Sequence, residues 1–355
     1  MQPVIFDAIV LGGGPAGSAA AITLREAGRS VALVEATRYD KPRIGETLPP
    51  DVRLPLAELD ALDDLRGHLP SVGHVAAWES AEARWNDFIF QPYGYGWHVD
   101  RRLFDYSLAR RAERKGALLM MSCRATACQY RNETWHVTLT GSTTSILARW
   151  LVCATGRGAS PLRRQMGRPV QHDQLIASYY RGKREPDWAC GDRAVIEAVP
   201  DGWWYSAPLP DGLGIFAFFS SPRNTLNRRS WHRAMEAAHI TRERFRAMGP
   251  SASIGVTAAS SWQSPVVAGR EWVACGDAAV TRDPLSSQGV YSALTAGISA
   301  ARSLLSDGSQ EDYVKSIEDA YLQYLSHRKS YYSQVNRFSG EQFWRERLGS
   351  GSTVH

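Results

Sequence analysis

The chain has 355 residues, 44% of them hydrophobic and 22% charged, with a formal net charge of +5. That composition suits a folded globular protein with one large core or two interleaved domains and argues against an extended disordered chain. The absence of any lysine and arginine run weighs against a nucleic-acid partner, and the lack of an apolar run approaching ~18 residues weighs against an integral membrane segment.

The five cysteines, Cys123, Cys128, Cys153, Cys190 and Cys275, are scattered and form no Cys-x-x-Cys pair. Neither a metal site nor a redox dithiol is expected, and the usage suits a reducing cytoplasm. The start of the chain lacks a basic n-region and runs into glycines, unlike a signal peptide. Phe6–Leu11 predicts a short buried strand, closed by Gly12-Gly13-Gly14-Pro15-Ala16-Gly17. An alanine-rich helix is expected to about Ala27, with Gly28 as its stop, and Ser30–Glu35 predicts a second strand.

Within this β-α-β unit Gly12, Gly14 and Gly17 make G-x-G-x-x-G. Gly12 permits the tight turn, Gly14 lets a pyrophosphate approach the backbone, and Gly17 lets helix and strand pack closely. The helix that opens at Pro15 and Ala16 offers free N–H groups, from Ala16 onward, to phosphate. Glu35, at the end of the second strand, is placed to accept ribose hydroxyls. A bare glycine turn would not explain that acid, so a dinucleotide site is expected.

Residues 41–50 read as a loop, and Asp51–Leu65 has helical spacing. Residues 66–99 read as irregular, rich in Trp, Gly and Pro. Asp100–Gly116 predicts an amphipathic helix with Leu103, Phe104, Leu108 and Ala112 as its apolar stripe. Leu118–Leu139 alternates as strands do, and Trp150–Ala154 predicts a strand entering Thr155-Gly156-Arg157. The runs Leu175–Arg181, Ala194–Val199, Trp203–Ala207 and Gly214–Phe219 predict an antiparallel sheet roofing a pocket, followed by a helical stretch over 230–248. Trp272–Cys275 returns to a buried parallel strand. Helices are expected over Ser287–Leu305 and Gln310–Val335.

The late segment Ala274-Cys275-Gly276-Asp277-Ala278-Ala279, then Asp283-Pro284-Leu285-Ser286-Ser287-Gln288-Gly289, resembles the second FAD motif of the glutathione-reductase-like flavoproteins. The resemblance implies that Asp277 bonds the ribityl chain. It also implies that Pro284 and the loop through Ser287 and Gln288 to Gly289 lie against the isoalloxazine. A helix N-terminus near ring O2 would there stabilise negative charge on reduced flavin. Gly276, Ala154 and Gly156 belong to the same expected cofactor set.

Two further segments are similar to flavin-dependent halogenases and their relatives. Arg43-Ile44-Gly45-Glu46-Thr47-Leu48-Pro49-Pro50 resembles their G-E-[ST]-x-x-P loop, and Gly96-Trp97-His98-Val99-Asp100-Arg101-Arg102-Leu103-Phe104-Asp105 their D-R-x-x-F-D helix start, which implies that Arg43, Gly45, Glu46 and Arg101 reach the flavin. Trp203-Trp204-Tyr205-Ser206-Ala207-Pro208 stands where halogenases carry W-x-W-x-I-P; Trp203 and Pro208 match, and Tyr205 and Ala207 depart. A halogenase needs a lysine soon after the G-E loop to handle hypohalous acid, and none lies between Lys41 and Lys115. The resemblance therefore points to the short halogenase-like maturases of quinone cofactors. These are the lysine-ε-oxidase and glycine-oxidase maturases and the flavoprotein of quinohemoprotein amine dehydrogenase biogenesis, which are implied to hydroxylate a tryptophan within a protein.

The expected architecture is α/β. A glutathione-reductase-like (Rossmann) FAD-binding domain spans 1–75, 100–168 and 270–306. An inserted antiparallel β-sheet substrate domain spans 76–99 and 169–269, and a helical C-terminus spans 307–355. The expected activity is that of an FAD-dependent monooxygenase: reduced FAD captures O2 as a C4a-hydroperoxide, and an electron-rich indole attacks its distal oxygen in a site that excludes water. The aromatic substrate is a free molecule or a tryptophan in a protein or peptide.

Electrons would come from NAD(P)H directly or through a separate reductase, because the D-G acid of NADPH-binding hydroxylases is missing from Ala154-Thr155-Gly156-Arg157-Gly158-Ala159-Ser160-Pro161. Glu46 and His98 are the acid/base candidates, although Glu46 could cap a helix or pair with Arg43 and His98 could be structural. Trp85, Phe88, Trp97, Trp203 and Tyr205 are candidates to stack on the substrate, against a plain core role for each. The basic and aromatic C-terminal stretch, with His327, Arg328, Tyr331, Tyr332, Phe343 and Trp344, is either a solvated helix packed on the body or a docking surface. Competing readings are small-molecule hydroxylation or halogenase-like tailoring, prenyl-type double-bond reduction, and a non-catalytic flavin-binding maturation chaperone.

Overall fold

A computed structural model describes residues 5–142, 144–158, 160–248, 254–306 and 310–349. The expected spans 1–75 and 307–355 therefore include terminal residues outside the described set, as does Ala159 of the run after Cys153.

The first sheet has the strand order Ala268–Gly269, Trp272–Ala274, Ser145–Cys153, Ile5–Leu11, Val31–Val34, Leu118–Met120. All neighbours pair in parallel except Ala268–Gly269. Ala8–Leu11 and Val31–Val34 are buried at every position, as expected for parallel strands covered on both faces. The register pairs Leu11 with both Val34 and Cys153, and Cys153 with Ala274. The carboxyl ends of four strands thus stop level, at the edge where open α/β sheets bind ligands. Ser145–Cys153 also carries the antiparallel hairpin Ala125–Arg131 and Thr134–Leu139.

Two helices cover this sheet in close contact. A Cβ on Gly297 of the helix Gly289–Leu305 would lie 2.1 Å from the Ala16 carbonyl of the helix Pro15–Glu26. A glycine there lets the backbones approach, so both helix N-termini reach the same strand ends.

The second sheet has the order Gly255–Ala258, Ile176–Lys183, Leu213–Ser220, Gly202–Pro208, Ala194–Val199, Gly73–Ala77, Arg84–Asp87. Its pairs are antiparallel except Ala194–Val199 with Gly73–Ala77. Period-two alternation sends Trp203 and Trp204 to opposite faces. Trp204, Phe216 and Phe218 pack under the helices Arg228–Met235 and His239–Arg246 with Trp231 and Met235. Trp203, Ala177 and Phe219 face the other way, with Tyr332, Phe343 and Trp344. The helix Gln310–Ser333 joins the two layers: Tyr313, Ile317, Tyr321 and Tyr324 enter the core of the first sheet, and Tyr332 enters that of the second. No helix among the described residues is long and apolar enough to cross a membrane.

Three local expectations change. Residues 66–99, read as irregular, contain the strands Leu69–Ser71, Gly73–Ala77, Arg84–Asp87 and Gly96–His98; they are too short for their alternation to stand out among glycines and prolines. The expected boundary at 75/76 falls inside the strand Gly73–Ala77, which belongs to the second sheet. The helical spacing of Asp51–Leu65 yields a short helix, Arg53–Glu58, and a separate turn, Leu62–Leu65, because Asp60 takes a left-handed conformation with φ 53°.

Candidate active site

A cavity of about 1250 Å³ opens where the parallel strands end, beneath the second sheet. Gly12, Gly14, Pro15 and Ala16 line one end, with Glu35. Gly12 has φ 104°, and a Cβ there would sit 2.2 Å from the Ala154 carbonyl, so only glycine fits the turn. Gly17 lies behind the wall. Gly14, in contrast, faces open space, its nearest neighbour being the Arg43 guanidinium at 3.9 Å. The helix Pro15–Glu26 has no side-chain cap and no acid in its first turn. Its free N–H groups and positive dipole end therefore face the cavity at the place a pyrophosphate requires.

Glu35 holds the turn from the second strand. Its carboxylate accepts from Gly13 N at 2.8 Å and from Thr37 N and Oγ1 at 2.9 and 2.6 Å, and Arg43 lies 3.4 Å away. The oxygen facing Gly13 retains acceptor capacity for a ribose hydroxyl.

At the other end stand Gly276, Asp277, Pro284, Ser287, Gln288 and Gly289. The helix Gly289–Leu305 also starts without a side-chain cap, and a Cβ on Gly289 would meet nothing within 4 Å. Both halves of a dinucleotide thus find an unblocked helix N-terminus, which fits FAD.

The loop before this helix is tied from the C-terminal helix. Asp283 accepts from Leu285 N at 2.9 Å and from the Tyr332 hydroxyl at 2.7 Å, and its own N–H donates to Tyr324 Oη at 2.7 Å. Trp203 Nε1 donates to the same Tyr332 oxygen at 3.1 Å, coupling the sheet wall to the loop. Arg157 ties the strand end at Gly156 to the late loop. It donates from Nε to Asp277 at 3.1 Å and from its terminal nitrogens to the Ser260 and Arg282 carbonyls.

The 43–47 loop forms the floor between the two ends. Arg101 donates to both oxygens of buried Asp105, at 2.9 and 3.1 Å, and to the Ile44 and Gly45 carbonyls. Arg43 donates to the same Asp105 at 3.0 Å. Arg101 and Arg43 both line the cavity, and their guanidiniums also hold the loop. Glu46 is fully buried. It accepts from Gly45 N at 2.8 Å and pairs with Arg181 of the second sheet. Arg181 had no signal in the sequence, because the pairing spans 135 positions.

The structure separates the other candidates. Trp203, Tyr205, Ala154 and Gly156 line the cavity, with Trp203 stacked on Phe219 at 4.0 Å. Among the described residues, none from 78–98 lines it. Trp85 is 57% exposed at the far edge of the second sheet, with Arg193 over its ring. Trp97 is buried beneath the Arg53 guanidinium, which lies 4.3 Å from its ring centre. The expectation that this segment walls the pocket is therefore corrected for Trp85, Phe88 and Trp97. Trp85 sits on the edge strand Arg84–Asp87, Phe88 in the short turn that follows it, and Trp97 in the middle strand of a separate three-stranded sheet, and none of them reaches the cavity.

His98 is fully buried one layer behind the cavity. Strand pairing sets it opposite Thr47, whose Oγ1 lies 2.9 Å from His98 Nδ1 and 2.5 Å from the Tyr205 hydroxyl. His98 Nε2 donates to the Asp192 carbonyl at 3.0 Å. Burial, with Arg244 and Arg184 nearby, lowers its pKa to about 4. In the unfolded chain the group titrates near 6.5. Between pH 6.5 and 4 the unfolded chain then binds the extra proton, so stability falls as the pH falls through that window, by about 3 kcal/mol from this group. His98→Gln, which retains a donor for the Asp192 carbonyl, should flatten the urea-unfolding profile by that amount over the window. A profile parallel to wild type would mean that His98 carries charge in the fold.

From the ring loop the cavity extends as an open groove between the helices Gly289–Leu305 and Gln310–Ser333. Ser292, Thr295 and Ser299 line one side, and Ser316, Ala320, Gln323, His327 and Tyr331 the other. The sequence reading placed His327 and Tyr331 on a solvated or docking face, and it missed the part of this helix in the cavity.

The sequence profile of the FAD binding domain matches residues 7–41. Over 367 residues the chain is 28% identical to a Marinomonas mediterranea protein named as an FAD-dependent oxidoreductase, LodB, covering 99% of each chain. It is 26% identical to a tryptophan 2-halogenase of Chondromyces crocatus, covering 95% of this chain and 69% of that one. The chain is therefore similar to FAD-dependent oxidoreductases of the halogenase type. Its fold is also that of the myxobacterial chondrochloren halogenase CndH, with a TM-score of 0.84, 24% identity and coverage of 97% and 86%. The peptidyl tryptophan dihydroxylase QhpG, essential for tryptophylquinone cofactor biogenesis, superposes with a TM-score of 0.80, 22% identity and coverage of 99% and 80%.

Proposed function

We propose that this halogenase-like flavoprotein is a monooxygenase that hydroxylates the indole ring of a tryptophan carried by a polypeptide. The observation that carries the reading is the single cavity in which the early glycine turn, the Asp277 end and the aromatic wall of Trp203, Tyr205 and Phe219 meet. When bound and reduced, the flavin supplies the activation of O2. The residues of the chain do the rest. The N-terminus of Gly289–Leu305 stabilises negative charge beside the ring. The second sheet excludes water, and Trp203 and Tyr205 hold the substrate against the ring. Glu46, fixed between Gly45 and Arg181, is the buried carboxylate in the floor beneath the reacting region.

The missing lysine after the G-E loop favours oxygen transfer over halogen transfer. The groove favours a polypeptide over a free indole. From Ser316 to Tyr331 it runs about 22 Å, the span of about six or seven extended residues. Its lining of hydroxyls and an amide suits main-chain groups better than a prenyl chain. Electrons reach the flavin from NAD(P)H or from a separate reductase.

The test is to reduce the holoprotein, mix it with isotope-labelled O2 and a tryptophan-containing peptide, and analyse the peptide by mass spectrometry. The expected product carries one or two labelled oxygens on the indole. A peptide that remains unchanged while the flavin reoxidises would overturn the reading.

A further inference from the structure

The buried side chains behind the cavity fix the direction of one hydrogen bond inside it. The Asp192 carbonyl can only accept, so the proton of neutral His98 is on Nε2, 3.0 Å away. His98 Nδ1 is then an acceptor, and Thr47 Oγ1 at 2.9 Å must give it the Thr47 proton. With that proton spent, Thr47 can only accept from the Tyr205 hydroxyl at 2.5 Å. Each step follows from the donor and acceptor inventory of the groups involved. Burial supports the same assignment, because it keeps His98 neutral and pushes the Tyr205 phenol up from its usual value.

Tyr205 lines the cavity, and the proton of its hydroxyl is already committed to Thr47. We propose that Tyr205 offers the cavity an acceptor only, and that it selects and orients the substrate by accepting the ring N–H of an indole. This rests on the reading of the cavity as an aromatic-substrate site and adds to it the group that tells an indole from an isosteric ring. The neighbouring carboxylate of Glu46 is already engaged by Gly45 N and Arg181. Phenylalanine at position 205 would keep the stacking surface and lose the acceptor.

The experiment measures binding to the oxidised holoprotein by calorimetry and by perturbation of the flavin absorbance. The probes are N-acetyl-tryptophanamide and its benzothienyl analogue, in which sulfur replaces the ring N–H. Wild type is expected to prefer the indole about five- to tenfold, the worth of one neutral hydrogen bond. Tyr205→Phe should remove the preference while still binding the sulfur analogue. Thr47→Val releases the Tyr205 proton to the cavity and should shrink the preference, whereas Thr47→Ser should retain it. A merely structural role for Thr47 would not separate serine from valine in this ratio. Equal binding of both probes by wild type, or an unchanged preference in Tyr205→Phe, overturns the role of Tyr205 alone. A holoprotein that binds neither probe overturns the aromatic-substrate reading with it.

Discussion

Replacing Arg181 by methionine is expected to destabilise the fold by about 3 kcal/mol or more, because it removes the guanidinium paired directly with the buried Glu46 carboxylate. Glu46 has no exposed surface, and Arg181 is largely covered, with 19% of its side chain accessible. Glu46→Gln preserves the shape and an acceptor for Gly45 N. It should cost less than Arg181→Met, since it strands a partly solvated guanidinium rather than a sealed carboxylate. The two changes should also couple: the double variant should be less destabilised than the sum of the singles by about 1–3 kcal/mol. Urea unfolding of the four proteins measures this, and strict additivity would mean that the pair does not interact. The same Glu46→Gln protein tests the chemistry. Undiminished hydroxylation would remove the carboxylate from the reaction and leave it as a tie between the 43–47 loop and the second sheet.

Gly17→Ala should be as damaging at the other end of the cavity. Its backbone is not strained; the obstacle is space. An added Cβ would lie 1.8 Å from the Gly12 carbonyl oxygen and 3.1 Å from Ala154 Cβ. The carbonyl cannot move aside, because Gly12 is itself wedged against Ala154. The helix must therefore shift off the strand, at about 3 kcal/mol for overpacking. The shift moves the N–H groups of the first helical turn away from the pyrophosphate position. FAD affinity should fall by about a hundredfold, since each tenfold step corresponds to about 1.4 kcal/mol.

The parts of the fold legible in the sequence were those set by local pattern. The glycine turn, the alternating strands of the second sheet and the Gly276–Gly289 stretch all carry their geometry in contiguous residues. The strand Leu213–Ser220 was read to within a residue at each end because its turn residues bracket it.

What was hidden depends on chain crossings. The partner of Glu46 comes from position 181. The groove needs two helices to splay, and the exposed tips of Gln323 and His327 look like any solvated helix face. Trp85 was read as a pocket residue because its ring could stack on an aromatic substrate, yet an edge strand holds it in solvent under Arg193. His98 was recognised as important from its position. Its neutral state and its link through Thr47 to Tyr205 arise from strand pairing and burial, which no run of residues displays.

The central claim is that one FAD spans the cavity from the Gly12 turn to the Asp277 loop. Titrating the apoprotein with FAD and following the visible absorbance tests it most directly. Wild type should saturate at one flavin per chain, with Gly17→Ala and Asp277→Ala both greatly weakened. A wild-type chain that takes up no flavin at saturating concentration, or variants that bind it as tightly as wild type, would contradict the account.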